Sequence, residues 1–148
     1  MSGIQIALLG ANSVTATATI VLTSQTGLNS IVDQVGAGST ATVSYQIASN
    51  GKVYKTIGAT TTEIEQWCTP TSAAGDYEVF ATLNSSTGSG LASGTTGAWL
   101  ALTSNRTWTV TESTSGNSST AELGMQIRKI GTGTVLATAT ITLEAEVL

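Results

Sequence analysis

The strongest alternation of apolar and polar positions lies at the carboxy-terminal end of the chain. Val135, Ala137, Ala139, Ile141, Leu143, Ala145 and Val147 take one set of alternate positions; Thr138, Thr140, Thr142, Glu144 and Glu146 take the other. Successive side chains of an extended backbone point to opposite faces, so this spacing predicts a half-buried strand over Thr134–Val147. Ser119–Ile130 alternates likewise, with Ala121, Leu123, Met125 and Ile127 inward and Glu122, Gln126 and Arg128 outward. Gly131-Thr132-Gly133 joins the two. At ~3.3 Å per residue the last strand reaches roughly 43 Å, about twice a common strand. It must bend, bulge or run past its own domain.

The same period recurs upstream. Ile4–Leu9 reads as a short strand and Val14–Thr23 as a well-alternating one. Val14–Leu22 matches Val135–Leu143 at seven of nine positions. Duplication and shared Ala/Thr composition both explain that match, and no other stretch repeats. Over Gln25–Ser39, Leu28, Ile31, Val32 and Val35 have helical spacing, but Gly36-Ala37-Gly38 stops the run after barely two turns. Helix, strand and loop all stay open there. Ala41–Ile57 reads as a hairpin turning at Asn50-Gly51, a pair suited to a type I′ turn. Thr60–Trp67 is a further short strand, broken before Pro70.

Tyr77, Val79, Ala81 and Leu83 then face one way. Ser85–Gly97 reads as a Gly/Ser/Thr loop. Trp99–Leu102 is short, and Arg106–Ser113 turns Trp108 and Val110 inward. Nine or ten strands without a convincing helix predict an all-β fold. The expected architecture is an antiparallel β-sandwich, immunoglobulin-like in general shape, with an extended N-terminal arm. The arm takes residues 1–35 and packs on a neighbour; the sandwich takes 36–148.

Composition adjusts this picture. Charged residues are 9% of the 148, against about 25% in an average domain. Ser and Thr make up 45 residues. A surface of hydroxyls and amides is cheap to bury, because no ion must be desolvated. That favours a protein covered by others in an assembly. The net charge of −4, with five scattered basic residues, argues against nucleic acid. No run approaches a membrane span, and Ile4–Ala11 lacks the basic flank of a signal peptide. The single cysteine, Cys68, cannot close an internal disulfide.

Candidate chemistry is sparse. Without histidine, Ser-His and Cys-His pairs are impossible and the usual zinc sites are removed. Asp76 and Glu78 could form a carboxylate pair, but as solvated strand residues they need no cleft. Glu63 and Glu65 lack calcium-loop spacing. The glycines of 88–97 lack the Gly-Lys-Ser/Thr ending of a phosphate loop. No cofactor or metal is expected. The aromatic residues are the best binding candidates, since aromatic faces stack on sugars. Trp108 reads as core. Trp99 and Trp67 border breaks in the pattern and, with Tyr54, form a candidate platform, although burial is the default for such rings. Val14, Ile20, Ile141, Leu143 and Val147 mark the candidate assembly strands.

Several stretches of the second half carry a resemblance. They are 76–83 (Asp-Tyr-Glu-Val-Phe-Ala-Thr-Leu), 93–102 (Ser-Gly-Thr-Thr-Gly-Ala-Trp-Leu-Ala-Leu), Arg106-Thr107-Trp108, Ile127-Arg128, Thr132–Leu136 and Ala139–Leu143. In these the chain resembles short β-rich structural proteins of tailed bacteriophages, over roughly Trp67 to Val147. The resemblance implies a virion component, made in the host bacterial cytoplasm, on the tail or the capsid surface. It brings no catalytic residues.

The function expected is therefore non-enzymatic: a phage structural protein, at the tail tip, fibre base or tube or as a capsid decoration. Its partners would be copies of itself, as a trimer or hexamer, and other virion proteins. The alternative is a module binding carbohydrate on a host surface through exposed tryptophans.

Overall fold

Thr/Ala alternation leaves the backbone extended and each strand with one apolar face, so the strands must stack face to face. A computed structural model of the chain describes residues 19–20, 30–69 and 77–148. Among these residues the strands are β1 (Thr19–Ile20), β2 (Ser30–Val35), β3 (Ala41–Ile47), β4 (Lys52–Ile57), β5 (Thr60–Gln66) and β6 (Cys68–Thr69). They continue as β7 (Tyr77–Thr87), β8 (Leu91–Ser93), β9 (Trp99–Ala101), β10 (Arg106–Glu112), β11 (Ser118–Lys129) and β12 (Val135–Val147). β1 pairs with β6. The other ten form two five-stranded sheets, ordered β5-β4-β3-β10-β8 and β2-β12-β11-β7-β9. β11 and β12 face β3 and β10 across the interior. This is the expected β-sandwich.

The core is built from alternate positions. Ala41, Val43, Tyr45 and Ile47 of β3, with Trp108 and Val110 of β10, meet Leu123, Met125, Ile127, Ile141 and Leu143 of the other sheet, all at most 1% exposed. Each such aliphatic side chain stabilises by about 1.5–3 kcal/mol relative to exposure. Trp108 also donates its indole N–H to the Thr95 carbonyl at 2.8 Å, which satisfies its polar atom.

Four local expectations need correction. The sandwich is not wholly antiparallel: β2 runs parallel to β12, from Ser30 opposite Thr142 to Val35 opposite Val147. Residues 30–35, placed in the arm by a boundary at 35, thus belong to a sheet of the sandwich. Their helical spacing yields to the row of backbone groups that β12 offers, and Leu148 N–H closes the end by donating to Val35 O at 2.7 Å. The remainder of the arm, residues 1–18 and 21–29, lies outside the described residues.

The hairpin at Asn50-Gly51 is present with a longer turn than type I′. Gly51 N–H donates to Ala48 O at 2.9 Å, and Ala48 N–H to Lys52 O at 2.8 Å, leaving three linking residues. That is a turn followed by one left-handed residue, and Gly51 takes it at φ 81°. Part of the Ser85–Gly97 loop is regular: β7 runs on to Thr87, and Leu91–Ser93 crosses as β8 to pair with β10. The long last strand, expected to bend, bulge or run past its domain, does the last two. Register shifts between Ile127 and Arg128. Val135 and Leu136 are 40% and 43% exposed, whereas the inward positions from Ile141 onward are fully buried.

Candidate functional site

Because odd positions of β7, β11 and β12 fill the core, their even positions face out. Register sets these into rows. Trp99, Phe80, Gln126 and Thr138 form one row, and Thr82, Gly124 and Thr140 the next. Glu78 and Arg128 are paired on the other side of the first row.

The first row begins with an aromatic corner. The Phe80 and Trp99 ring centroids are 5.3 Å apart with the planes tilted by 51°. The Arg128 guanidinium lies 3.7 Å from the Trp99 ring centroid. Its Nε donates to Glu78 Oε1 at 3.0 Å, which fixes it there. The cation thus covers a face of Trp99. Arg106 donates to Ala101 O through Nε at 3.0 Å and through its terminal nitrogen at 2.8 Å, holding the short edge strand β9 in place.

The second row contains a notch. Gly124 interrupts the side chains of β11 midway, between Thr82 and Thr140. Thr82, Asn84, Gln126, Thr138 and Thr140 surround it as a shallow groove of about 260 Å³. Asn84 reaches it through a bulge: Glu122 pairs with Ser85 and Leu123 with Leu83, so Asn84 is the extra residue. Bulges re-aim a side chain in this way. The Asn84 amide lies across the notch, with Nδ2 and Oδ1 each 3.4 Å from where a Cβ of residue 124 would stand.

Two cross-strand threonine pairs elsewhere are closed by hydroxyl bonds. Thr56 and Thr61 share a hydroxyl bond at 2.9 Å, and Thr87 and Thr120 one at 2.6 Å. Among the described residues, no side-chain hydrogen bond engages Thr82, Asn84, Gln126, Thr138 or Thr140.

The expected platform does not assemble. Trp67 is 0% exposed: its backbone N–H donates to Gly51 O at 2.7 Å, which pins the end of β5 to the β3–β4 turn, and its ring lies in the core. Tyr54 lies on β4, in the sheet opposite Trp99, half-buried between Gln46 and Glu63. Of the assembly positions, Ile141, Leu143 and Val147 are fully buried core, because β12 is an interior strand between β2 and β11. Ile20 pairs with Cys68 in the β1–β6 ladder, and Val14 lies outside the described residues.

Several of the described carboxylates are engaged by neighbouring groups. Glu78 belongs to Arg128, and Glu63 reaches Lys52 Nζ at 2.7 Å on the surface. Asp76 lies outside the described residues. Glu112 is 5% exposed. Its Oε1 accepts from Thr114 N–H at 2.7 Å and Ser113 N–H at 2.8 Å, and its Oε2 from the Ser119 hydroxyl at 2.7 Å. Ser119 Oγ in turn accepts from Ser89 N–H at 2.9 Å. The Thr114 backbone bond first, then the Ser119 hydroxyl, hold the Glu112 carboxyl below its usual range. Burial pushes the Tyr45 phenol above its ordinary value, with the Glu65 charge adding, and burial raises the Glu65 carboxyl too. Among the described residues no cluster of three acidic, Cys or His side chains is placed to hold a metal ion.

Gly124 was not singled out from sequence. The available signal was an isolated glycine inside an otherwise alternating strand, which marks a bulge or a close approach. No family model, curated protein or solved structure matches the chain.

Proposed function

We propose that the protein is a non-enzymatic structural subunit of a bacteriophage virion, set in repeated copies on the tail or the capsid surface. The observation that carries this reading is the overshooting β11–β12 hairpin. Ile130, Val135 and Leu136 are 44%, 40% and 43% exposed around its tip. Beside them, Val135–Ile141 has β11 on one side and, among the described residues, no strand on the other, because β2 begins opposite Thr142. An apolar tip next to an edge that is unpaired among the described residues suits addition of a strand from a neighbouring copy, with main-chain bonds supplying affinity and alternate side chains the register. The sparse charge of the chain lowers the desolvation cost of such a contact. The resemblance of the second half to phage structural proteins supplies the biological setting.

The test is the oligomeric state and particle incorporation of the full chain, with and without Val135→Asp and Leu136→Asp. The parent should sediment as a closed oligomer and join particles, and the double variant should do neither while keeping its strand signal. A parent that stays monomeric at high concentration, or a double variant that assembles normally, counts against the proposal.

A further inference from the structure

We infer that the groove over Gly124 is a binding site for a neutral saccharide, a function separate from assembly through the β11–β12 hairpin. Threonine hydroxyls on adjacent strands are close enough to pair in this fold. Thr56 and Thr61 satisfy each other in this way, as do Thr87 and Thr120. At the groove that closure is prevented. Gly124 stands between Thr82 and Thr140, so these hydroxyls are two strand spacings apart, ~9.6 Å. The slot between them has no side chain of its own.

Two amides converge on the same slot. The bulge aims Asn84 across the notch, and Gln126 borders it from the same strand as Gly124. Among the described residues these side chains make no hydrogen bonds. Each amide offers both a donor and an acceptor, and each hydroxyl offers either. That inventory matches a ring carrying several hydroxyls, each itself donor and acceptor.

The lining selects against other ligand classes. None of the groove side chains is charged, and the nearest cation, Arg128, is already committed to Glu78 and Trp99. A phosphate or carboxylate would find no counter-charge. An apolar ligand would bury these amides and hydroxyls without partners, which costs about 1–3 kcal/mol for each. Phe80 and Trp99 lie in the row alongside, on the far side of Gln126, where a second sugar unit of a chain would run.

A glycine in a strand interior costs roughly 0.5–1 kcal/mol relative to alanine, so its place here favours a close approach of something to the backbone. Asn84 alone does not need it, since a Cβ at 124 would meet that amide at 3.4 Å, an ordinary contact.

The experiment uses the full chain and a panel of neutral mono- and oligosaccharides built from glucose, galactose, mannose and N-acetylglucosamine. Binding is read by amide chemical-shift mapping and calorimetry. The expected result is a saccharide that shifts the amides of Thr82, Gly124 and Thr140. Gly124→Thr fills the notch and should weaken binding at least about tenfold. Thr82→Val and Thr140→Val keep the shape, remove one hydroxyl, and should each weaken it about fivefold, near the worth of one hydrogen bond. Thermal melting of each variant shows whether the fold is kept, and the valine variants serve should Gly124→Thr fail to fold. The inference is overturned if no saccharide in the panel binds at millimolar concentration, if shifts map to Tyr54 instead, or if folded groove variants bind as the parent does. Assembly measured on the same variants should be unchanged, so failure here is distinct from failure of the hairpin reading.

Discussion

Gly94 offers the sharpest test of how the interior is closed. It follows β8 at φ 123°, a conformation that L side chains rarely adopt. A Cβ there would overlap Trp108 Cδ1, stand 2.8 Å from Trp108 Cγ, and stand 2.9 Å from the Thr107 carbonyl oxygen. The ring cannot move aside freely, because it is fully buried and its indole N–H is held by Thr95 O at 2.8 Å. Gly94→Ala should therefore carry two costs. Backbone strain contributes about 1–2 kcal/mol, and displacing a packed ring contributes about 1–3 kcal/mol. Together, about 3 kcal/mol corresponds to a fall in melting temperature of roughly 6–12 °C for a chain of this length. The two costs separate in a double-mutant cycle. In a Trp108→Leu background the overlap is relieved while the strain remains, so Gly94→Ala should then cost only about 1–2 kcal/mol. Urea and thermal unfolding of the four proteins give the numbers. A drop below about 2 °C for Gly94→Ala, or an equal cost in both backgrounds, would refute the reasoning.

Other outcomes follow from burial and from the carboxylate network. Leu143→Ala empties a fully buried position and should cost about 2–5 kcal/mol, while Leu136→Ala, 43% exposed on the same strand, should change stability by less than about 0.5 kcal/mol. Equal effects in thermal unfolding would mean that β12 is not inserted as described. Glu112 has a depressed folded pKa against an ordinary value of 4.5, so its contribution is present above that value and is lost as pH falls through the folded pKa. Melting temperature should thus decline on acidification below about pH 4.5 in the parent and less steeply in Glu112→Gln, which should also be less stable at pH 7. Parallel pH profiles for the two proteins would exclude Glu112 as the lock between the β10–β11 turn and the β7–β8 hairpin.

Local alternation was enough to locate much of the sandwich. β11 and β12 were legible to within one residue at each end, and their inward residues over Ala121–Ile127 and Ala139–Val147 were named correctly, because period two over many positions leaves a single choice of face; the bulge beside Ala137 takes Val135 out of that set. Trp108 was assigned to the core on the same ground. β8 was hidden within a glycine-rich loop, since three residues cannot display a period. Trp67 lies beyond the end of β5, where alternation says nothing; its backbone N–H is bonded to Gly51 O and its ring lies in the core.

The amino-acid pattern alone established the fold class and most of the inward faces of the long strands, because these depend on residue type and on spacing between near neighbours. Pairing between strands distant in sequence established the rest. It made β12 an interior strand with a parallel partner, separated Trp99 from Tyr54 on different sheets, and set Gly124 between two threonines under a bulged asparagine. Register and sheet order come from contacts across the whole chain, and no local period carries them.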